Sequence, residues 1–470
     1  MFKPDTLTLA DMASLIRRGV LSSVSLVDFY LDRIEQRNAQ INALILLERR
    51  EELYRQAEAA DALARKGQFL GPLHGIPITI KDVCHVKGFR MSRGVEEMCN
   101  EPSTADATVV ARLRKAGAII LGITNVPELC MAFETENLLY GRTLNPHDTS
   151  RSAGGSSGGE AAAIAAGLSP AGLASDACGS VRIPAHFNGI CGLKLTQGRV
   201  PLTGQFPNDR SGLFHMTSAF GVMGRYVDDV NILGKLISGA DQQDPDTVDV
   251  PFAPGKPLQA LRIAVSSRSS TTRVSPAVQA VMDNVANRLK NVVSAVDEAR
   301  PDLLEQACDV LWRVFITGAD AGRGWQTLFK SLGKTHFTQA TTQLLEMSQH
   351  VELSTEELKR DWIMIDTFRY RLAGFFNEYD LFISPVFGDV AFAHGQSLED
   401  KERYAFVFPF SLSGSPAIVI KAGQDPANGM PIGIQIVAPH WQEEQLLRVA
   451  SFLERELEDW RPALSEVAER

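Results

Sequence analysis

The chain is expected to fold as an α/β protein, with a central mixed, largely parallel twisted sheet covered by helices on both faces. Three observations predict this. Apolar strand-like segments alternate with helical ones from about residue 70 to 237. The strand-like runs are apolar on both faces, as in a sheet covered on each side. Strand patterns also return near the end of the chain, after a long helical stretch.

The elements follow in order. In "MFKPDTLTLADMASLIRRGV", Thr8 and Asp11 have the spacing of a capping box and Gly19 stops the helix. Two further helical patterns follow, "SVSLVDFYLDRIEQRN" from Ser23 and an alanine-rich charged run from about Glu48 to Lys66. "GIPITIKDV" alternates Ile76, Ile78 and Ile80 in strand periodicity. "ATVVARLRKAGAIILGITNVPE" reads as a helix closed at Gly117 and then a strand. The alternation continues to "GVMGRYVDDVNILGKLI", near residue 237. From about 270 to 378 the chain is mainly helical, before the strands "DLFISPV", "PAIVIKAG" and "IGIQIVAP" and the helix "QEEQLLRVASFLE". No low-complexity linker or internal repeat marks a boundary. The expectation is therefore one domain over 1–470, with N-terminal helices at 1–66, a core at 70–237, a helical excursion at 270–378, and C-terminal strands and helix at 379–458.

Composition narrows the function. With 44% hydrophobic and 22% charged residues in 470, the chain is an ordinary globular sequence. A net charge of −9 argues against a nucleic-acid or anionic-membrane partner. The longest uncharged apolar-rich run, Ala161 to Ser175, is too short to span a bilayer and is interrupted by Gly167, Pro170 and Gly172. The N-terminus lacks the layout of a secretion signal, so a cytoplasmic location is expected. Cys84, Cys99, Cys130, Cys178, Cys191 and Cys308 show no zinc spacing and read as reduced thiols, with no metal and no other cofactor implied.

"SDACGSVRIPA" sets Ser180 on a turn of small residues between Asp176 and Arg182. The consecutive N–H groups of Ala177, Cys178, Gly179 and Ser180 are suited to converge on an oxyanion. Alone, the segment reads more readily as a structural turn. A serine needs a base, and none of the nine histidines stands in a suitable arrangement; His186 reads as a locally bonded residue. GxSxG is absent. Lys81 ends an apolar run in which desolvation would favour its neutral amine, although by itself it also reads as a solvated lysine at a strand end. "RSAGGSSGGEAAAIAAG" places Ser156 and Ser157 between glycine pairs. No GK[ST] follows, and Glu160 would repel a phosphate at the helix start.

"GPLHGIPITIKD", "GGSSGGEAAAIAAGLSPAGLASDACGSVRIPAHFNGICGLKLTQGRV" and "GMPIGIQIVAP", in this order, resemble the amidase signature family over nearly the whole chain, least from about 240 to 375. The resemblance implies the amidase signature fold and a Ser–cis-Ser–Lys triad. Ser180 then matches the nucleophile, Ser156 the bridging serine after a cis peptide bond, and Lys81 the base. It also makes Ser157 a partner serine and Asp176 with Arg182 a supporting ion pair. It implies no cofactor.

The sequence departs from the family pattern at several points. Cys178 stands where the first of two glycines is usual; a backbone donor survives there, and the thiol narrows the site. Leu195 and Lys421 replace common prolines and read as packing variations, Lys421 as a solvated edge residue. Cys130 and Met131 match the acyl-pocket segment, although they read equally well as core. Phe206 to Phe214 and Tyr404 to Phe410 are further candidates for aromatic wall.

The resulting expectation is a serine amidohydrolase acting on a small uncharged amide, an aryl or alkyl acylamide, with carbamates and urethanes as further candidates. It would work as a monomer or homodimer without a membrane or nucleic-acid partner. The alternative is the ammonia-releasing component of a glutamine-dependent aminoacyl-tRNA amidotransferase, which shares these motifs.

Overall fold

The computed structural model describes residues 4–99, 101–206 and 215–457. Its strands are β1 (Leu44–Leu47), β2 (Pro77–Lys81), β3 (Ile119–Thr124), β4 (Glu136–Asn137), β5 (Gly141–Arg142), β6 (Ala171–Asp176), β7 (Cys191–Lys194), β8 (Ala219–Gly224), β9 (Arg262–Val265), β10 (Ala295–Asp297), β11 (Leu381–Pro385), β12 (Ala417–Gln424) and β13 (Pro431–Val437). β4 and β5 form a separate hairpin; the other strands make one sheet in the order β1-β3-β2-β6-β8-β7-β12-β13-β11-β9-β10.

The sheet is mixed. β3, β2 and β6 run parallel, as do β11, β9 and β10. Antiparallel ladders join β6 through β8, β7, β12 and β13 to β11. Every residue of β2, β3, β6, β8 and β13 is buried. Cover on both faces explains why these strands are apolar throughout, and why the pattern alone does not report strand direction.

The first helix, Leu9–Arg17, starts at the Thr8–Asp11 capping box, and Gly19 follows it with φ +67°. Helices Ser23–Ile41, Arg50–Ala64, Thr108–Lys115 and Val227–Ile237 occupy the segments read from periodicity. The excursion is not wholly helical: Ala295–Asp297 returns to extend the sheet edge beside β9. Three residues carry too little periodicity to be read as a strand.

One large hydrophobic core surrounds the sheet. A smaller satellite cluster, centred on Val95, Leu129 and Phe329, joins the helix Arg323–Leu332 to the loop after β3. Among the described residues, no helix is long and apolar enough to cross a membrane.

Candidate active site

Lys81 is the last residue of β2, and Asp176 is the last residue of the neighbouring parallel strand β6. Parallel strands that end together open a crevice at their carboxyl ends. Lys81 is fully buried there. Its Nζ donates to Ser156 Oγ at 2.8 Å and Ser175 Oγ at 3.0 Å, with the Ser175 carbonyl at 3.4 Å. Burial lowers the affinity of this amine for its proton, while Cys130, Asp176, Glu160 and Cys84 act in the opposite sense.

Ser156 follows a cis peptide bond after Gly155. A Cβ at Gly155 would lie 2.5 Å from the carbonyl oxygen of Ala132, so only glycine lets this loop press against its neighbour. Ser157 donates from its N–H to the Ser180 carbonyl, and from its hydroxyl to the Ser175 carbonyl, each at 3.3 Å.

One helical turn beyond Ser156, Glu160 is wholly buried and accepts hydrogen bonds from Thr79 at 2.5 Å and Thr124 at 2.8 Å. Burial raises its carboxyl to about 7 against the two threonine hydrogen bonds. Residues 79 and 81 of β2 are thus tied to residues 160 and 156 of the loop and helix by two parallel rungs.

Beneath Ser180, Asp176 and Arg182 form an ion pair with both side chains fully buried, Nε to Oδ2 at 2.9 Å. Arg182 also donates to the Val407 carbonyl, Gln435 and Ser411. Burial alone would raise the Asp176 carboxyl, but the charge and hydrogen bonds of Arg182, with Lys194 nearby, carry it down to about 2.

The expected four-donor nest needs one correction. The Gly179 N–H is engaged by Asp176 Oδ1 at 2.7 Å, which leaves Ala177, Cys178 and Ser180 as the donors without an acceptor among the described residues. The Asp176 carboxylate reaches into the turn because it must also satisfy the Val181 N–H, at 3.1 Å.

Ser156, Ser175 and Ser180 line one cavity of about 500 Å³. No hydrogen bond joins the hydroxyls of Ser156 and Ser180, both of which line this cavity. Cys130, Met131, Cys178 and Phe206 also line it. Residues 207–214, including Phe214, lie outside the described residues. Tyr404 and Phe408 stand behind the wall, their ring centroids 4.1 and 5.5 Å from that of the lining residue Phe133.

Sequence reasoning missed Ser175 and Glu160, although both fall inside the serine- and glycine-rich motifs. It also missed much of the wall, including Val314–Ile316, Asp320, Trp325 and Leu328. The amphipathic pattern of that segment signals a helix but not its destination. His186 is held between the Asp389 carbonyl and the Gly433 N–H, as a locally bonded residue. Lys421 is not a solvated edge residue: β12 lies between β7 and β13, and burial lowers its ammonium to about 5. Among the described residues, no group of three or more His, Cys, Asp or Glu side chains could hold a metal ion.

A doubly covered mixed sheet with a buried lysine–serine contact at the carboxyl ends of parallel strands defines an α/β protein with a candidate acid–base pair in its strand-end crevice. The amidase family model matches residues 25–447, and the chain belongs to that family, whose members hydrolyse carbon–nitrogen bonds in amides. The chain is 31% identical to the indoleacetamide hydrolase of Bradyrhizobium diazoefficiens, covering 94% of this chain and 85% of that one. It is 32% identical to the acylamidase of Rhodococcus erythropolis, over 97% of each. It is also 32% identical to a component of the glutamyl-tRNA(Gln) amidotransferase of Roseiflexus castenholzii, over 98% of each. The structure of 6-aminohexanoate cyclic dimer hydrolase in complex with substrate superposes with a TM-score of 0.84 at 27% identity, over 98% of this chain and 100% of that one.

Proposed function

We propose that the protein is a stand-alone serine amidohydrolase for uncharged aryl or alkyl acylamides, with carbamates and urethanes as further substrates. The observation that carries the reading is the 2.8 Å contact from buried Lys81 Nζ to Ser156 Oγ, a serine that lines the same cavity as Ser180. Neutral Lys81 accepts the Ser156 proton as Ser156 accepts that of Ser180. The Ser180 oxygen attacks the amide carbonyl, and the oxyanion forms before the free N–H groups of the turn. Ser156 then returns a proton to the leaving amine, and water hydrolyses the acyl-enzyme through the same relay.

Among the described residues, no Lys, Arg or His side chain lines the cavity. This supports an uncharged substrate and weighs against the amidotransferase component, which would have to hold the carboxylate of glutamine. The amidotransferase relative, as similar in sequence as the acylamidase, keeps that second reading open to experiment.

A panel of a nitroanilide, a primary amide, an aryl carbamate and glutamine tests the reading, with wild type set against Ser180→Ala. Turnover of the first three is expected, falling by at least about a hundredfold in the variant, with fluorophosphonate labelling of wild type alone. Undiminished turnover in Ser180→Ala removes the proposal. Turnover of glutamine alone selects the amidotransferase reading.

A further inference from the structure

Two stretches of the cavity wall are joined by charge as well as by apolar contact. Trp325 and Leu328, on the helix Arg323–Leu332, line the cavity, and so do Leu129, Cys130 and Met131. Glu128, immediately before that second stretch, is buried. One of its carboxylate oxygens, Oε1, faces Lys334 Nζ at 3.1 Å. The other, Oε2, accepts the N–H and the hydroxyl of Thr338, each at 3.1 Å. The side chains of the ion pair are only 5% and 0% exposed, and a second carboxylate, Glu97, lies 3.9 Å from the same ammonium. Lys334 and Thr338 belong to the link between the helix Arg323–Leu332 and the next one, Gln339–Gln349. Glu128 thus fastens the cavity wall at residues 129–131 to the chain that leaves the helix over the cavity.

Three features make that helix separable from the body of the protein. Of its ten residues only Phe329 is buried, and Phe329 packs in the satellite cluster with Val95 and Leu129. Both ends are left-handed turns: Gly318, Ala319, Ala321 and Gly322 before it, with φ between +56° and +86°, and Gly333 after it at +72°. A Cβ at Gly333 would meet nothing within 4 Å, so this glycine serves the turn and not the packing. Residues at the ends of an element are where φ and ψ change while the element itself moves as a unit. The third feature is the ion pair. A buried pair returns little stability over apolar residues of the same volume. It parts differently, however: separated ions recover their hydration, whereas separated apolar surfaces must be exposed to water.

We infer that the helix Arg323–Leu332 is a lid over the cavity, and that Glu128, holding Lys334 and Thr338, is its latch. The closed lid limits the width of the amide that the cavity accepts, and wider amides enter as the latch parts. Glu128 is then a positioning residue, which acts on the choice of substrate through the helix without touching the substrate. This inference rests on the proposed amidase reading and adds what selects among its substrates.

The test uses one narrow amide, nitroacetanilide, and two wide ones, with naphthoyl in place of the acetyl group or pyrenylamine in place of the nitroaniline. Intrinsic reactivity cancels when the narrow-to-wide ratio of kcat/KM is compared between variant and wild type. Lys334→Met should lower that ratio by about fivefold or more for at least one pair. Glu128→Gln, which keeps an acceptor for Thr338 and loses the charge facing Lys334, should move it in the same direction. Lys334→Arg restores a cation opposite Glu128 and should keep the wild-type ratio. Amide hydrogen exchange of the full chain gives a second readout: residues 323–338 should exchange about tenfold or more faster in Lys334→Met, with β2 and β6 unchanged.

An unchanged ratio in both Lys334→Met and Glu128→Gln overturns the inference. Faster exchange spread evenly over the sheet also overturns it, since that marks a pair with a structural role alone. Failure of wild type to cleave any amide, with Ser180 unlabelled by a fluorophosphonate, overturns the amidase reading instead, while hydrogen exchange still tests the lid.

Discussion

The two walls of the cavity are built on opposite principles. The floor consists of the ends of β2 and β6 with the glycine-rich loop and the Ser180 turn. There the polar side chains are fully buried and matched: Lys81 to Ser156 and Ser175, Glu160 to two threonines, Asp176 to Arg182. The roof is the segment from Val314 to Leu332: Val314, Phe315 and Ile316 belong to the main core, while the helix from Arg323 is tied down by the satellite apolar cluster. A closed polar network fixes geometry, whereas an apolar wall sorts what fits beneath it. The floor should therefore govern folding and turnover, and the roof should govern the choice of substrate.

The largest expected effect lies in the floor. Asp176→Asn leaves the Arg182 charge buried without its counter-ion, at a cost of about 3–5 kcal/mol of unfolding free energy. The Ser180 turn, which hangs on the same carboxylate, should lose activity with it. The pair's contribution has a defined pH window. With its carboxyl near 2 in the folded state against an ordinary 3.8, Asp176 stabilises above the ordinary value, and this is lost as pH falls toward about 2. Trp325→Ala in the roof should instead raise KM for an aryl amide by about tenfold with kcat almost unchanged, and its loss of stability, confined to the satellite cluster, should be the smaller of the two. Denaturant titration and steady-state kinetics of the two variants check the contrast; equal loss of stability in both would break it.

An intermediate effect sharpens the comparison through pH. In the proposed relay Lys81 must be neutral, so activity falls in acid as its ammonium forms. Burial sets that limb below the ordinary lysine value of 10.5. The charged and titratable groups that face Lys81 are Cys130 and Cys84 from the adjoining loops, Asp176 from β6 and Glu160 from the helix after Ser156. Glu160 favours the ammonium, so Glu160→Gln should move the acid limb of kcat/KM to lower pH, while Trp325→Ala leaves it in place. A limb that does not move with Glu160→Gln separates this carboxylate from the lysine.

The same contrast explains what the sequence revealed. Ser180, Ser156, Ser157, Lys81, Asp176 and Arg182 became candidates through the order and spacing of three motifs that resemble one family; taken singly, the Ser180 segment reads as a structural turn and Lys81 as a solvated lysine at a strand end. Helices were legible from caps and periodicity, as at Thr8 and Asp11. The direction of the strands was not, because β6 and β8 are buried on both faces whether they run parallel or antiparallel. Glu160 read as a charge at a helix start, since nothing local points to threonines 81 and 36 residues away. Trp325 belongs to a helix whose pattern reports a buried face without saying what it is buried against, and Asp320 lies in the turn before that helix.

The smallest expected effect is at the point where the sequence departs from a glycine pair, residues 178 and 179. The two positions make different demands. Gly179 has φ +102°, and a Cβ there would lie 2.9 Å from Ile183 and 3.0 Å from Val407. Cys178 has no left-handed φ, so an L side chain is accommodated without backbone strain. Its burial pushes the thiol pKa well up, which keeps it protonated and a poor nucleophile. Cys178→Gly should therefore leave kcat/KM for a small acylamide within about threefold, widening the cavity by one side chain. Gly179→Ala must meet both the clash and a left-handed backbone cost of about 1–2 kcal/mol, and should lower kcat by tenfold or more, because the turn that presents Ser180 has to move. Equal losses in the two variants would mean that the side chain of Cys178, and not merely its backbone, takes part in the floor.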